Sequence, residues 1–287
     1  MYQEAGNANL IMLLNTALLP FVASLAIGYI ASKWLKCGTY LGYLAGFFVG
    51  LSLIHSGFSL PPKQAIDYLS ATIVIGLIGH LIELRETDKK YSIAIIYSLV
   101  ALSFYWLLNP VLKHTGLSVS LLGVFICTLV SGVYLQLEKV SRRRLISNTP
   151  LVSVLPYVAL MVIAAAAAPV VGIGGSLLLA QLLGAFAAAM FAYCLLAVGF
   201  KQKALSPFGA WLIYAGLMAQ SHVLADISIG VVALSILTSL LIPLSLLTLK
   251  RPPSLKQALM LLARQAVVSA AVMAVSLYWV WPASSLY

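Results

Sequence analysis

Long runs of apolar residues, separated by short polar segments, follow one another along the whole 287-residue chain. Each run approaches the roughly 20 mainly apolar residues that a helix needs to cross the hydrocarbon core of a bilayer. The pattern therefore predicts ten transmembrane helices. Their predicted bounds are 10–32, 39–58, 66–84, 91–112, 118–137, 150–171, 176–199, 208–226, 229–249 and 258–281.

Composition supports this prediction and excludes other classes of protein. Hydrophobic residues make up 62% of the chain and charged residues 8%, and the mean hydropathy is +1.04. A soluble domain is about 45–50% apolar and about 25% charged, so a soluble enzyme, a nucleic-acid-binding domain and a disordered regulator are excluded. The sequence predicts an all-α, polytopic integral membrane protein that is a single membrane domain, with no soluble domain.

The basic residues predict how the helices are oriented. Fourteen of the 17 lie in the odd-numbered loops: Lys33, Lys36, Arg85, Lys89, Lys90, Lys139, Arg142, Arg143, Arg144, Lys201, Lys203, Lys250, Arg251 and Lys256. Cytoplasmic loops carry such an excess, so both termini are expected to face outward (N-out/C-out). The net charge of +10 is thus interpreted as a topology signal, with a lipid bilayer and no nucleic acid as partner. The expected location is the bacterial cytoplasmic (inner) membrane.

The start of the chain predicts a retained first helix. The segment MYQEAGNANL has no basic region and carries Glu4, which argues against a cleaved signal peptide.

Three weak correspondences predict an inverted repeat of five plus five helices, with halves 1–149 and 150–287. Pro20 in span one matches Pro156 in span six, and His80 in span three matches His222 in span eight. Stripes of small residues fall between these positions in both halves. They are Gly42, Gly46 and Gly50 on span two, and Ala180, Gly184, Ala188 and Ala192 on span seven. Such repeats are common in secondary transporters.

Several polar or helix-distorting residues are candidates for lining a path through the bundle. Pro20 and Pro156 each remove a backbone hydrogen bond within an apolar run, which predicts a kink. Gln181 and Gln220 lie inside spans seven and eight, where they either line a path or hydrogen-bond between helices.

Two pairs of ionisable residues are candidates for a proton or solute gate. His80 and Glu83 share a face at the predicted cytoplasmic end of span three, while His222 and Asp226 lie at the outer end of span eight. Histidine titrates near neutral pH, so each pair could bind a proton at opposite faces of a transporter. The alternative is that both pairs lie at the membrane–water interface, where water solvates them and neighbouring groups such as Arg85 or Arg264 neutralise their charge.

The sequence contains no nucleophile elbow, phosphate-binding loop or closely spaced metal ligands, so no cofactor, metal or catalytic residue is predicted and an enzyme is disfavoured. The leading hypothesis is a small-solute secondary transporter or permease, with protons as the candidate coupling ion. The alternative is a non-catalytic transmembrane subunit or scaffold, which would pack against partner membrane subunits or form a homo-oligomer. A membrane-embedded enzyme acting on lipid is the third hypothesis.

Overall fold

The computed structural model describes residues 9–35, 38–84, 89–114, 116–142, 150–201, 206–249 and 252–281, and within these ranges it contains no strand. We number its main helices α1 to α10, and a short helical turn at Pro150–Ser153 precedes α6. Their bounds are α1 Asn9–Trp34, α2 Tyr40–Ile54, α3 Tyr68–Leu84, α4 Lys89–Leu112, α5 Leu117–Arg142, α6 Leu155–Gly174, α7 Leu177–Gly199, α8 Phe208–Ala225, α9 Ile229–Thr248 and α10 Leu255–Val280.

Seven of these helices are long and apolar enough to cross a membrane, namely α1, α4, α5, α6, α7, α9 and α10. The prediction of an all-helical, multi-pass membrane protein is therefore confirmed. Helices α2 and α3 are apolar but have only 15 and 17 residues. Crossing by all ten helices, and the N-out/C-out orientation, stay predictions.

Helix α8 lies in the middle of the bundle and contacts α3, α4, α5, α6 and α7. Every residue from Phe208 to Met218 is buried by protein. Because its neighbours are helices rather than lipid tails, α8 can carry polar residues such as Gln220 and Ser221 without exposing them to hydrocarbon.

The three glycines of α2 allow close contact between α1, α2 and α7. A Cβ on Gly46 would lie 2.5 Å from the carbonyl oxygen of Pro20 and 2.9 Å from the Cβ of Ala189, so no larger residue fits. The Ser24 hydroxyl on α1 also donates to the carbonyl of Ala189, at 2.8 Å. Small residues allow this approach in lipid, where packing replaces the hydrophobic effect.

On α7 the residues that face α2 are not those of the predicted stripe. Ala185 and Ala189 meet the glycines of α2, whereas Gly184 faces Thr16 of α1. The residues of α7 that contact α2 therefore lie one position after those of the predicted stripe. The other faces of α7 pack on α1 and α6.

Helical irregularities lie next to both predicted proline positions. A π-helical segment, Leu14–Leu18, ends just before Pro20, and α6 begins only at Leu155, after a break at Val154. Pro156 is therefore in the first turn of α6, where its missing N–H needs no helical partner. Both prolines are buried, and their predicted role in lining a path stays a prediction.

Some helix contacts are those that an inverted repeat would give. Helix α1 packs on α2 as α6 packs on α7, α4 packs on α5 as α9 packs on α10, and α2·α7 and α3·α8 join the halves. Other contacts depart from the symmetry: among the described residues, α6 packs extensively on α10 and α1 on α7, and neither contact has a comparable counterpart in the other half. The repeat, with its boundary between 149 and 150, stays a prediction.

Candidate functional site

The two ends of the bundle differ in charge. Helices α1, α5 and α7 end, and α10 begins, at one end, which carries Lys33, Lys139, Lys201 and Lys256. We call this the basic end. The loop between α2 and α3 and the turn between α8 and α9 lie at the opposite end.

Two carboxylates share one guanidinium at the basic end. Nη1 of Arg142 lies 2.5 Å from Oε1 of Glu83, and its Nε lies 3.4 Å from Oε1 of Glu138. Glu138 and Arg142 are one turn apart on α5, while Glu83 comes from the last turn of α3. We call Glu83, Glu138 and Arg142 the basic-end cluster. It carries two negative charges against one positive charge when both acids are ionised.

Glu138 is the buried member of this cluster. Its side chain is 1% exposed, and neither carboxylate oxygen has a hydrogen-bond partner among the described residues. The ring of Tyr134, one turn earlier on α5, stacks on Trp211 of α8 at 3.8 Å between centroids and is itself buried. A carboxylate in such surroundings is costly when charged, and among the described residues the cation that compensates it is Arg142.

Glu83 also connects the first five helices to the last five. Its Oε2 accepts a hydrogen bond from the backbone N–H of Ser206, which precedes α8, at 3.0 Å. The Tyr157 hydroxyl on α6 donates to the backbone carbonyl of Ser206, also at 3.0 Å. The basic end is thus closed by hydrogen bonds that join α3, α6 and the segment before α8.

Buried tyrosines lie next to the basic-end cluster, between the two sets of five helices. Tyr43 of α2, Tyr157 of α6 and Tyr193 of α7 form what we call the tyrosine seam, with ring centroids 4.7–6.3 Å apart. His80 lies beside them and is 2% exposed. The centroid of its ring lies 3.4 Å from that of the Tyr40 ring. Its Nε2 has no hydrogen-bond partner among the described residues.

The structure does not bring His80 and Glu83 together as a pair. Glu83 pairs with Arg142 and Ser206, while His80 packs on Tyr40. Of the two cations considered from the sequence, Arg264 is on α10 and Arg85 lies outside the described residues.

His222 and Asp226 also have separate environments. Nδ1 of His222 lies 2.7 Å from the carbonyl oxygen of Ile227. Asp226 is exposed and ends α8 in the left-handed conformation, with φ 53°. The described contacts include no ion pair between them, and the role of both residues as a gate stays a prediction.

The opposite end holds a different histidine–aspartate pair. Nε2 of His55, which ends α2, lies 3.1 Å from Oδ1 of Asp67, which precedes α3, and both side chains are buried. The other oxygen of Asp67 accepts from the N–H groups of Lys63 and Gln64, both at 3.0 Å, and from the hydroxyl of Ser59 at 3.1 Å. We call residues 55–67 the opposite-end loop.

Gln220 of α8 also binds the opposite-end loop. Its amide donates to the carbonyl of Ala65 in the opposite-end loop at 2.8 Å, and the side chain is 1% exposed. Gln220 therefore joins α8 to the loop between α2 and α3. Gln181 is half-buried on α7, and its predicted role in lining a path stays a prediction.

The environment of Asp67 predicts a pH dependence of stability. Burial raises the pKa of this carboxyl, but the N–H groups of Gln64 and Lys63, the Ser59 hydroxyl and His55 together hold the pKa below its usual value. A depressed pKa stabilises the fold above the unfolded value of about 4 and stops doing so as the pH falls below it. We therefore expect Asp67→Asn to lower the thermal unfolding temperature by about 5 °C near pH 7, and by less below about pH 4.

Thermal unfolding of the detergent-purified protein across pH measures this effect. Asp226→Asn is the matched control, because it removes an exposed carboxylate at the same end. Equal shifts for both variants, or a difference that does not shrink in acid, would contradict the prediction.

Sequence reasoning missed Glu138 and Arg142 as members of a polar cluster, and it placed His55 and Asp67 at the outer end without predicting that they contact each other. A signal for Glu138 was present, because Tyr134, Glu138 and Ser141 recur at helical spacing on one buried face of α5. The predicted span ended at residue 137, so this acid was assigned to a loop. Its position four residues before Arg142 was the second signal.

The chain matches no model of a known protein family, and a comparison with curated proteins finds no match. Within the described ranges, no three His, Cys, Asp or Glu side chains are grouped so that they could hold a metal ion.

Proposed function

We propose that the protein is a proton-coupled secondary transporter for a small neutral solute in a bacterial cytoplasmic membrane, with the basic end toward the cytoplasm. The observation that carries the proposal is the Glu138 carboxylate, buried between helices with Arg142 as its ion-pair partner. Ionisable groups inside a membrane bundle are costly and are typical of proton pathways.

Proton binding at Glu138 would act on the contact between the two sets of helices. With Glu138 ionised, Arg142 divides its charge between two carboxylates. With Glu138 protonated, Arg142 pairs with Glu83 alone. This stronger ion pair draws electron density away from the other oxygen of Glu83, which then accepts a weaker hydrogen bond from the N–H of Ser206. Acid therefore weakens the closure at the basic end.

The tyrosine seam is the proposed start of the solute path behind this closure. Tyr43, Tyr157 and Tyr193 offer rings and hydroxyls but no unpaired charge, which suits a neutral solute. His80, with a free ring nitrogen beside the seam, adds a further hydrogen-bonding group. The opposite-end loop, held by Gln220, would be the second closure.

Cysteine labelling tests this proposal without knowledge of the solute. Ala210 on α8 is fully buried, and its backbone is hydrogen-bonded to the Tyr43 hydroxyl at the seam. In a background without Cys37, Cys127 and Cys194, Ala210→Cys should react with a water-soluble maleimide when acid opens the basic end. We expect its labelling rate, relative to an exposed Lys201→Cys, to rise about tenfold from roughly pH 8 to roughly pH 5.

Ala159→Cys is the matched control, because Ala159 is equally buried but lies among Leu155, Ile242 and Ala258, away from the seam. It should stay unlabelled at every pH. If Ala210→Cys stays unlabelled too, the bundle is static, and the transporter proposal fails.

A static bundle would favour the second candidate, a transmembrane subunit or scaffold. One observation supports it. In the 18-residue apolar stretch of each helix, only 11% of the residues of α1 and 17% of those of α10 are buried within the chain. These two helices would then contact a partner subunit or a second copy of the chain.

A further inference from the structure

A small cavity between α6, α9 and α10 has the size and the lining of a buried water site. Its polar lining consists of the hydroxyls of Ser235, Thr238, Ser269 and Ser276, and its other walls are apolar. The space holds about one water molecule. The Ser276 hydroxyl is 1% exposed and has no hydrogen-bond partner among the described residues, so water in the cavity is the partner that it requires.

Buried hydroxyls continue from this cavity to the Glu138 carboxylate. The Tyr214 hydroxyl on α8 lies near that of Ser235, but it forms no hydrogen bond of normal geometry with the described residues. The Tyr134 hydroxyl on α5 is in turn within electrostatic range of both Tyr214 and Glu138. The indole N–H of Trp211, whose ring packs beside both tyrosine rings, is buried without a partner as well. Unpaired polar atoms of this kind are typical of positions that internal water reaches.

The order of these residues is also the order of their depth in the bundle. At 1.5 Å per residue, Ser276 lies about 6 Å and Ser235 about 9 Å from the opposite end of their helices. Tyr214 lies about 9 Å and Tyr134 about 12 Å from the basic end of theirs, while Glu138 lies about 6 Å from it. The polar side chains therefore lead from the opposite end to the buried acid.

We propose that these hydroxyls, together with water in the cavity, form the route by which protons from the opposite end reach Glu138, and that Tyr214 is its central relay. This inference rests on the proposed function. A hydroxyl and a water molecule can both accept and donate a proton. At each step the arriving proton forms an O–H bond on one oxygen, whose original O–H bond breaks as its proton moves to the next. The last O–H bond forms on the Glu138 carboxylate, and each relay group ends uncharged.

The basic end offers a less favourable route to the same acid. A proton that arrives there meets the guanidinium of Arg142, which lies 3.4 Å from Glu138 and repels an incoming cation. Glu83, the other acid of the basic-end cluster, is already paired with this guanidinium. Protons that enter at the opposite end would then open the basic end, so that proton and solute move in the same direction.

The rate at which Glu138 is protonated tests the route. Rapid-mixing infrared spectroscopy of the detergent-purified full-length protein follows the carbonyl band of the protonated acid after a jump from roughly pH 8 to roughly pH 5. The band is assigned to Glu138 by its absence in Glu138→Gln. Tyr214→Phe keeps the buried ring and removes the relay hydroxyl, so we expect it to slow the band at least about tenfold without changing its final amplitude.

Ser221→Ala is the matched control, because it removes an equally buried hydroxyl of α8 that donates to the carbonyl of Met218 and does not line the cavity. It should keep the wild-type rate. An unchanged rate in Tyr214→Phe would overturn the route and leave the proton site in place. Absence of the Glu138 band from the wild-type protein at roughly pH 5 would overturn both.

Hydroxyl-radical footprinting tests separately whether water reaches the relay. The radicals oxidise side chains that lie next to bound water, so Tyr214 should be modified although it is fully buried. Met190 on α7 is equally buried and lies outside the route, and it should stay unmodified although methionine is readily oxidised. An unmodified Tyr214, or equal oxidation of Tyr214 and Met190, would overturn the proposed route.

Discussion

Replacing Arg142 by glutamine is expected to lower the thermal unfolding temperature by roughly 5–10 °C near neutral pH. The substitution removes the cation that faces both Glu83 and Glu138. Leaving a buried charge without its partner costs about 3–5 kcal/mol, and we expect the lower part of this range because the Arg142 side chain is 25% exposed. Unfolding of the purified variant, followed by fluorescence or light scattering, measures the shift.

A second substitution separates the electrostatic effect from a loss of packing. In the double variant Arg142→Gln/Glu138→Gln the unpaired buried charge is gone, so most of the lost stability should return. Lys139→Gln is the control, because it removes a neighbouring positive charge that forms no ion pair with the described acids. If Lys139→Gln is as damaging as Arg142→Gln, or if the double variant shows no recovery, the shared guanidinium is not what stabilises this end.

Replacing Glu138 by glutamine is expected to abolish proton movement coupled to solute transport. Glutamine keeps the size of the side chain but cannot bind or release a proton in the working range of pH. In proteoliposomes containing a trapped pH dye, wild-type protein should acidify or alkalinise the lumen when a transported neutral solute is added. We expect Glu138→Gln to reduce this signal at least about tenfold while solute exchange continues.

The exposed acid at the other end provides the comparison. Asp226→Asn removes a carboxylate that lies outside every polar cluster described, so it should retain coupling. Loss of coupling in Asp226→Asn and its retention in Glu138→Gln would move the proton site to the turn between α8 and α9. Loss of both exchange and coupling in Glu138→Gln would assign that acid to the fold rather than to proton transfer.

Hydrophobic patterning predicted the bounds of three consecutive helices closely. The expected spans 176–199, 208–226 and 229–249 differ by one residue at most from α7, α8 and α9. The weak break at Asp226 is visible in the sequence because polar residues there interrupt a long apolar run. Patterning succeeds here because the length of an apolar run and the polar residues that bound it are both local properties of the sequence.

The same reasoning failed where tertiary contacts decide the ends of helices. The expected spans 39–58 and 66–84 extended into the opposite-end loop, because the residues around His55 and Asp67 are apolar enough to continue a helix. In the structure α2 ends at Ile54 and α3 starts at Tyr68, and the side chains of His55 and Asp67 contact each other between the two helices. Such a contact between residues twelve apart leaves no periodic signal in the sequence.

The candidate site was only partly predictable for a related reason. His80 and Glu83 were noted because charged residues inside an apolar run are conspicuous. Their partners come from other helices: Tyr40 from α2 and Arg142 from α5. A helical sequence shows which residues share a face, but not which helix that face meets.

The glycine contact between α3 and α8 has a mechanical consequence. Gly76 and Gly209 bring the two backbones so close that a Cβ on Gly76 would lie 2.9 Å from the Cα of Gly209. This crossing therefore serves as a fulcrum for any tilt of α3 against α8. At 1.5 Å per residue, Glu83 lies about 10 Å along α3 on one side and Tyr68 about 12 Å on the other. With lever arms this similar, a tilt that separates the helices at one end brings them together by nearly the same distance at the other.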